Sequence, residues 1–194
     1  MATTQTPNSG RRSGRSHTAV LQAAVELCRE DGYGALTIEG IAARAGVGKQ
    51  TIYRWWPSKG AVVLDAFMAT IAADVTMPET GDHVADIRTW LRSVARLLGG
   101  SELGPHLAGL IGAKQSDPAL AQAFHQQVYE PIRTVLKERI RLAQAAGQLR
   151  PEDPEIIADL VAAPMWFRLL LDGKPATPDY AAKVLDVVLT TLRP

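Results

Sequence analysis

Apolar residues recur along this chain at the three- and four-residue intervals of one helix face, so the pattern predicts helices from end to end. Val20, Ala23, Ala24 and Leu27 form the inward stripe of a helix over about Ser16–Asp31, which Gly32 and Gly34 end. Ile38, Ile41, Ala42 and Ala45 mark a second helix. Thr37 is placed to cap it, its hydroxyl accepting from an otherwise unpaired helical N–H. Gly46 stops it, because glycine enters the left-handed conformation at little cost. A third helix restarts near Gly48 and runs to about Trp55, and Pro57 ends it by pushing the preceding residue out of helical geometry. Ser58 caps a fourth, which reaches about Val75 and turns Leu64, Phe67 and Ile71 inward. Met77-Pro78-Glu79-Thr80-Gly81 then breaks the pattern.

Beyond the break, Ile87, Trp90, Leu91, Val94 and Leu98 line one side of a helix over about Asp82–Leu98, closed by Gly99-Gly100. Glu102–Ala113 holds Gly104, Pro105, Gly109 and Gly112, so a weak, mobile helix is expected there. Asp117-Pro118 opens a long helix to about Ala146, with a bend expected at Pro131. Asp153-Pro154 starts the next, to about Leu171, and Pro178 starts the last, to about Leu192. These two are apolar around most of their circumference, which requires neighbours on more than one side. The chain is thus expected to be all-α, with about nine helices in all.

The second and third helices are short and joined by a glycine turn, which is the layout of a helix-turn-helix. The third has a polar face. Ile52 and Trp56 turn inward and leave Lys49, Gln50, Thr51, Tyr53 and Arg54 outside, with few acids near them. Lys can contact guanine, Gln can pair with adenine and Thr can meet a thymine methyl. Lys, Arg and Tyr can also hold phosphates.

Thr37-Ile, Ile41-Ala42, Ala45-Gly46-Val47, Thr51-Ile52-Tyr53 and Trp56-Pro57-Ser58-Lys59 together resemble the DNA-binding domain of the TetR family of transcriptional regulators, over roughly Ser16 to Phe67. Gly40 and Gly48 depart from the family pattern: an acid or polar helix former is frequent at the first position, and a Ser that caps the helix and touches phosphate at the second. The resemblance implies a basic tail over 1–14, a three-helix DNA-binding domain over 15–60, and a helical ligand-binding and dimerisation domain over 61–194. It implies operator contacts from Thr37, Gly48, Lys49, Gln50, Thr51, Tyr53, Arg54 and Lys59, the last in the first turn of a helix whose free N–H groups favour phosphate. It also implies a homodimer on double-stranded DNA, built by the last two helices, with Ile157, Leu160, Val161, Val184, Val188 and Leu192 in the interface.

Charge agrees with that division. The net charge of +1 hides an excess of base in residues 1–60, where Arg11, Arg12, Arg15, Arg29, Arg44, Lys49, Arg54 and Lys59 face only Glu26, Glu30, Asp31 and Glu39. The rest of the chain is acidic on balance. A basic head on an acidic body suits a polyanion-binding end. The polar, glycine-rich residues 1–14 cannot bury enough surface to order themselves; with Arg11, Arg12 and Arg15 they read either as a solvated tail or as an arm on the DNA. Hydrophobic residues make up 46% of the chain, enough for a sizeable core. The single Cys28 permits no internal disulfide and fits a reducing, cytoplasmic setting. No apolar run is long enough to span a membrane.

Nothing in the residue inventory suggests catalysis or a cofactor. His17, His83, His106 and His125 share no metal-pair spacing, and no phosphate loop or nucleophile elbow occurs. Two readings stay open: a repressor released by a small lipophilic, uncharged ligand, or a regulator of the same fold without an inducer, controlled by a protein partner or by abundance. For the first, Trp90, Leu107, Leu110, Ile111, Phe124, His125, Tyr129, Met165 and Trp166 lie where apolar groups meet breaks and polar side chains, as a ligand pocket requires.

Overall fold

A computed structural model describes residues 9–71, 75–100 and 103–193 of the protein. Among them every regular element is helical: α1 (Ser9–Ala35), α2 (Ile38–Ala45), α3 (Lys49–Tyr53), α4 (Lys59–Ile71), α5 (His83–Gly100), α6 (Leu103–Ala113), α7 (Pro118–Phe124), α8 (Glu130–Ala145), α9 (Pro154–Phe167) and α10 (Pro178–Leu192). Helical backbone begins at Ser9, ahead of the expected start near Ser16. The front of the expected tail, residues 1–8, lies outside the described residues, as does the side chain of Ile71. Gly32 breaks α1 in the left-handed region (φ 76°, ψ 164°), so its last turn runs in a new direction.

The Pro118–Ala145 stretch is helical throughout, with one irregularity. His125–Tyr129 forms a π-helical turn, and Pro131 follows two residues later. Proline has no N–H to give the carbonyl of Gln127, and its ring crowds that carbonyl. The wider turn relieves the crowding. α6 runs as a continuous helix across all its glycines. Its second residue explains one of them: a Cβ at Gly104 would stand 2.3 Å from the Leu98 carbonyl oxygen, so only glycine lets α6 fold back so tightly on the end of α5.

Two apolar clusters hold the chain together. One joins α1–α4 to α6 and α7 through residues such as Val20, Ile41, Ile52, Leu64, Leu110 and Leu120. The other joins α5, α8, α9 and α10 through Leu91, Leu136, Ile140, Val161 and Leu185. The first core therefore runs past residue 60 into the body. Leu107, Ile132 and Trp166 pack against both clusters. At the seam between head and body, a Cβ at Gly60 would lie 2.8 Å from Leu120 Cδ1 and 3.1 Å from Leu120 Cβ. The Tyr33 hydroxyl also donates to Asp117, the residue that caps α7.

The break before α5 is fastened by a buried ion pair. Arg139 Nη1 lies 2.9 Å from Asp86 Oδ2, and Thr80 gives the same carboxylate both its hydroxyl, at 2.6 Å, and its N–H. The Thr80 hydroxyl, with help from Arg139, holds the Asp86 carboxyl below the usual aspartate range. A buried charge is tolerated when it is paired and hydrogen-bonded in this way.

Candidate nucleic-acid interface

Local rules build the α2–α3 unit. Thr37 is extended (φ −131°, ψ 153°), and its hydroxyl accepts from the Gly40 N–H at 3.0 Å. A Cβ at Gly40 would stand 3.2 Å from that hydroxyl oxygen, which accounts for a glycine in the first turn of a helix. Gly46 (φ 65°, ψ 33°) ends α2 and returns its N–H to the carbonyls of Ala42 and Ala43. Gly48 then caps α3 without a side chain (φ −79°, ψ 149°). α3 is shorter than expected: after Tyr53 the backbone tightens, Trp55 bonding back to Ile52, and a turn carries the chain to Trp56.

The buried side of this unit fixes the direction of the exposed one. Ile52 is fully buried, and replacing it with Ala would cost about 2–5 kcal/mol. The Trp56 indole N–H donates to Asp65 of α4 at 2.9 Å. His17 of α1 packs on Trp56 and Trp55, with ring centroids 4.6 and 5.3 Å away, and Arg54 covers the Trp55 ring at 5.0 Å. That anchoring role of His17 carried no signal in the sequence, because it depends on three elements meeting. On the far side of α2, Arg44 pairs with Glu30 at 2.7 Å and with Glu26 at 3.5 Å, clasping α2 to α1.

What remains outside is polar. Gly48, Lys49, Gln50, Tyr53 and Arg54 are exposed, Thr51 is half-buried, and Thr37 stands at the start of α2. Two of the expected contacts are already engaged within the protein. Lys49 Nζ lies 2.9 Å from Glu39, which raises the lysine pKa and holds the Glu39 carboxyl below the usual glutamate range. Lys59 points back into the head, donating to the carbonyls of Leu36 at 2.9 Å and Tyr33 at 3.3 Å and lying over the Tyr33 ring. It ties α4 to the end of α1 and does not stand in the first turn as a free cation. A rigid helix presenting an amide, a phenol and two cations can read base edges and hold phosphates in a major groove.

Residues 20–66 match the family described as bacterial regulatory proteins, tetR family. Residues 77–188 match the description tetracyclin repressor-like, C-terminal domain. The chain belongs to the TetR family. It is 37% identical over 179 residues to the uncharacterized HTH-type transcriptional regulator YdeS of Bacillus subtilis (strain 168), covering 92% of this chain and 88% of that one. It is 28% identical over 181 residues to the DNA-binding transcriptional repressor TetR of Mycobacteroides abscessus, covering 91% and 93%. The crystal structure of the TetR family transcription regulator SCO0332 matches with a TM-score of 0.78 at 34% identity, covering 93% of this chain and all of that one. These relatives are transcriptional regulators, not enzymes. TetR-family regulators bind operator DNA and typically act as dimers.

The body of this TetR-family chain holds a cavity of about 310 Å³, partly open to solvent, between α6, α7, α8 and α9. Of the residues expected around a pocket, Ile111, Phe124, Tyr129 and Trp166 line it. The others are placed elsewhere. Trp90, Leu110 and Met165 are buried in the packed clusters, Leu107 lies between the clusters, and His125 faces solvent beside Glu130. Val128, Ile132, Leu136 and Leu170 join the wall, and so do three charged residues, Lys114, Arg133 and Asp159. The expectation of an uncharged ligand took no account of these three charges, which only folding brings to one wall. Arg133 is buried against the carboxylates of Asp159 and Glu155, and its guanidinium lies 5.2 Å over the Tyr129 ring. Among the described residues no three metal-ligand side chains converge, and no helix is long and apolar enough to cross a membrane.

The last two helices also sort differently than expected. Ile157, Val161 and Leu192 are buried inside the subunit, so they cannot form its outer face. Val184 and Val188 are half-buried, and Leu160 is exposed. The outer face is completed by Ile156, Phe167, Leu171 and Val187, exposed at 58%, 53%, 77% and 68%. Ile156, Leu160, Ala163 and Phe167 follow one another at four-, three- and four-residue steps, which places them on a single side of α9.

Proposed function

We propose that the protein is a cytoplasmic homodimeric repressor that reads its operator with α3 and is released from it by a small ligand held in the body. The observation that carries the reading is the exposed polar face of α3, fixed in direction by Ile52 and the Trp56–Asp65 hydrogen bond. Residues 15–60 serve as the DNA-binding domain and the remainder as the ligand-binding and dimerising one. The apolar face around Leu160 and Phe167 serves as the subunit contact. A two-fold dimer brings two α3 helices to successive turns of one face of the duplex, about 10 base pairs apart.

The route from ligand to operator runs through the seam. Phe124 of α7 touches the cavity, while Leu120 and Asp117 of the same helix touch Gly60 and Tyr33 of the head. A ligand that shifts α7 would swing α4 and change the spacing of the two reading helices. It can do so only by binding the DNA-incompetent arrangement better than the competent one. The second reading, a regulator without an inducer, is disfavoured by a cavity within the size range of small-molecule sites.

Binding the purified protein to genomic fragments and sequencing those retained tests the reading. A palindromic site with two half-sites is the expected result. Retention without sequence enrichment would sink it.

A further inference from the structure

The charges at the cavity do not balance. Three charged side chains belong to its wall: Lys114, Arg133 and Asp159. Arg133 is matched, donating to the carboxylates of Asp159 and Glu155, and Lys137 shares Glu155 at 2.8 Å. Lys114 is not. Among the described residues no carboxylate lies within ion-pair distance of its ammonium. The ammonium instead rests 5.0 Å over the ring of Phe124, which itself forms part of the wall. Around it the surface is aromatic and aliphatic, from Phe124, Tyr129 and Trp166 to Ile111 and Val128.

We infer that the cavity takes an aromatic monoanion, its rings against Phe124, Tyr129 and Trp166 and its acid group on Lys114. This rests on the ligand-responsive reading above and names the chemical class. Lys114 is half-buried beside an apolar wall and has no counter-charge among the described residues, so an incoming carboxylate meets a stronger attraction there than it would in open solvent. An uncharged ligand leaves Lys114 as it stands. A cation would approach it with no free carboxylate to receive it, since Asp159 is engaged by Arg133. A dianion would bring its second charge toward Asp159 on the same wall. Phe124 steadies the lysine by a cation–π contact, so the acid group meets a cation already in position.

Isothermal titration with 2-naphthoate and 2-naphthamide, which share their rings and differ in charge, tests the assignment on the full-length protein. Wild type is expected to bind the acid about tenfold or more tightly than the amide. Lys114→Met should weaken the acid to the level of the amide and leave the amide unchanged. Lys183→Met, which removes an exposed lysine of α10 outside the cavity, should leave both unchanged. Equal affinity of wild type for both probes, or an acid preference that survives Lys114→Met, overturns the anion subsite while leaving the cavity a ligand site. Binding of neither probe overturns the inference and removes the cavity's support for ligand release as well. An operator gel shift on each variant confirms that the fold is kept.

Discussion

Two surfaces of this subunit are left uncovered, and they differ in chemistry. The outer face of α3 carries Lys49, Gln50, Tyr53 and Arg54. The outer face of α9 and α10 carries Ile156, Leu160, Phe167 and Val187. The first is at home in water, so it gains by exchanging water and counterions for a partner that is itself charged and hydrogen-bonding. The second loses free energy in water and gains by meeting a surface like itself, which a two-fold axis supplies without a second gene product. Exposure says that a face is free to bind; the residues on it say to what.

The largest effect is expected on the apolar face. Leu160→Glu leaves the subunit nearly undisturbed, because Leu160 is half exposed already. In a dimer the same carboxylate is buried beside its symmetry mate, at a cost of several kcal/mol. Light scattering should report the monomer mass, and operator affinity should fall by about a hundredfold or more. A fully dimeric variant would remove Leu160 from the interface.

On the polar face, Gln50→Ala keeps the helix and deletes one donor and one acceptor. Operators changed one base pair at a time should show a loss of about 1–3 kcal/mol confined to one pair in each half-site, with non-specific affinity nearly intact. Unchanged base preference would pass the reading role to Lys49 or Thr51.

A subtler change sharpens the contrast. Glu39→Gln frees Lys49 from its carboxylate, so DNA binding should strengthen and its salt dependence should steepen by about one counterion. The gain depends on pH. The Glu39 carboxyl is held below its ordinary range, so the wild-type pair is intact at neutral pH and is lost as pH falls through that lowered value. The two proteins should therefore converge in salt slope as the solution is acidified below the usual glutamate range. A difference that persists there would assign the effect to something other than the ion pair.

The smallest effect concerns Gly48. Its backbone is ordinary and a Cβ there meets nothing within 4 Å. Gly48→Ser should add a cap to α3, stabilising the protein by a few tenths of a kcal/mol, and place a hydroxyl toward the phosphates. A lower melting temperature would show that the turn cannot take a side chain.

The polar face was legible in the sequence because its causes are local. Thr37 and Gly46 set the ends of α2, and Ile52 set the direction of α3. The apolar face was legible only as an excess. With apolar residues on both sides of α9, periodicity could not tell Ile157 and Val161, which face the subunit core, from Ile156 and Leu160, which do not. The cavity was read least well. Its wall is assembled from α6, α7, α8 and α9, and Arg133 counts as a cavity residue only once Asp159 from a different helix stands beside it. Lys59 misled for a similar reason: its place in a first turn suggested an anion, and the end of α1, brought near by folding, supplies two carbonyls.

Gly60 sets a condition on any effort to treat the head as an interchangeable module. Chimeras that join one regulator's head to another's body assume a neutral joint, yet here the joint is a fitted surface. The hydrogen in place of a side chain at residue 60 admits Leu120 from a helix almost sixty residues downstream. A body grafted onto this head must bring a side chain of matching shape to that spot, and the Tyr33 hydroxyl must find an acceptor like Asp117. Transplants that keep both contacts should pass ligand signals to the new operator; those that keep only the helix-turn-helix should bind DNA and ignore the ligand.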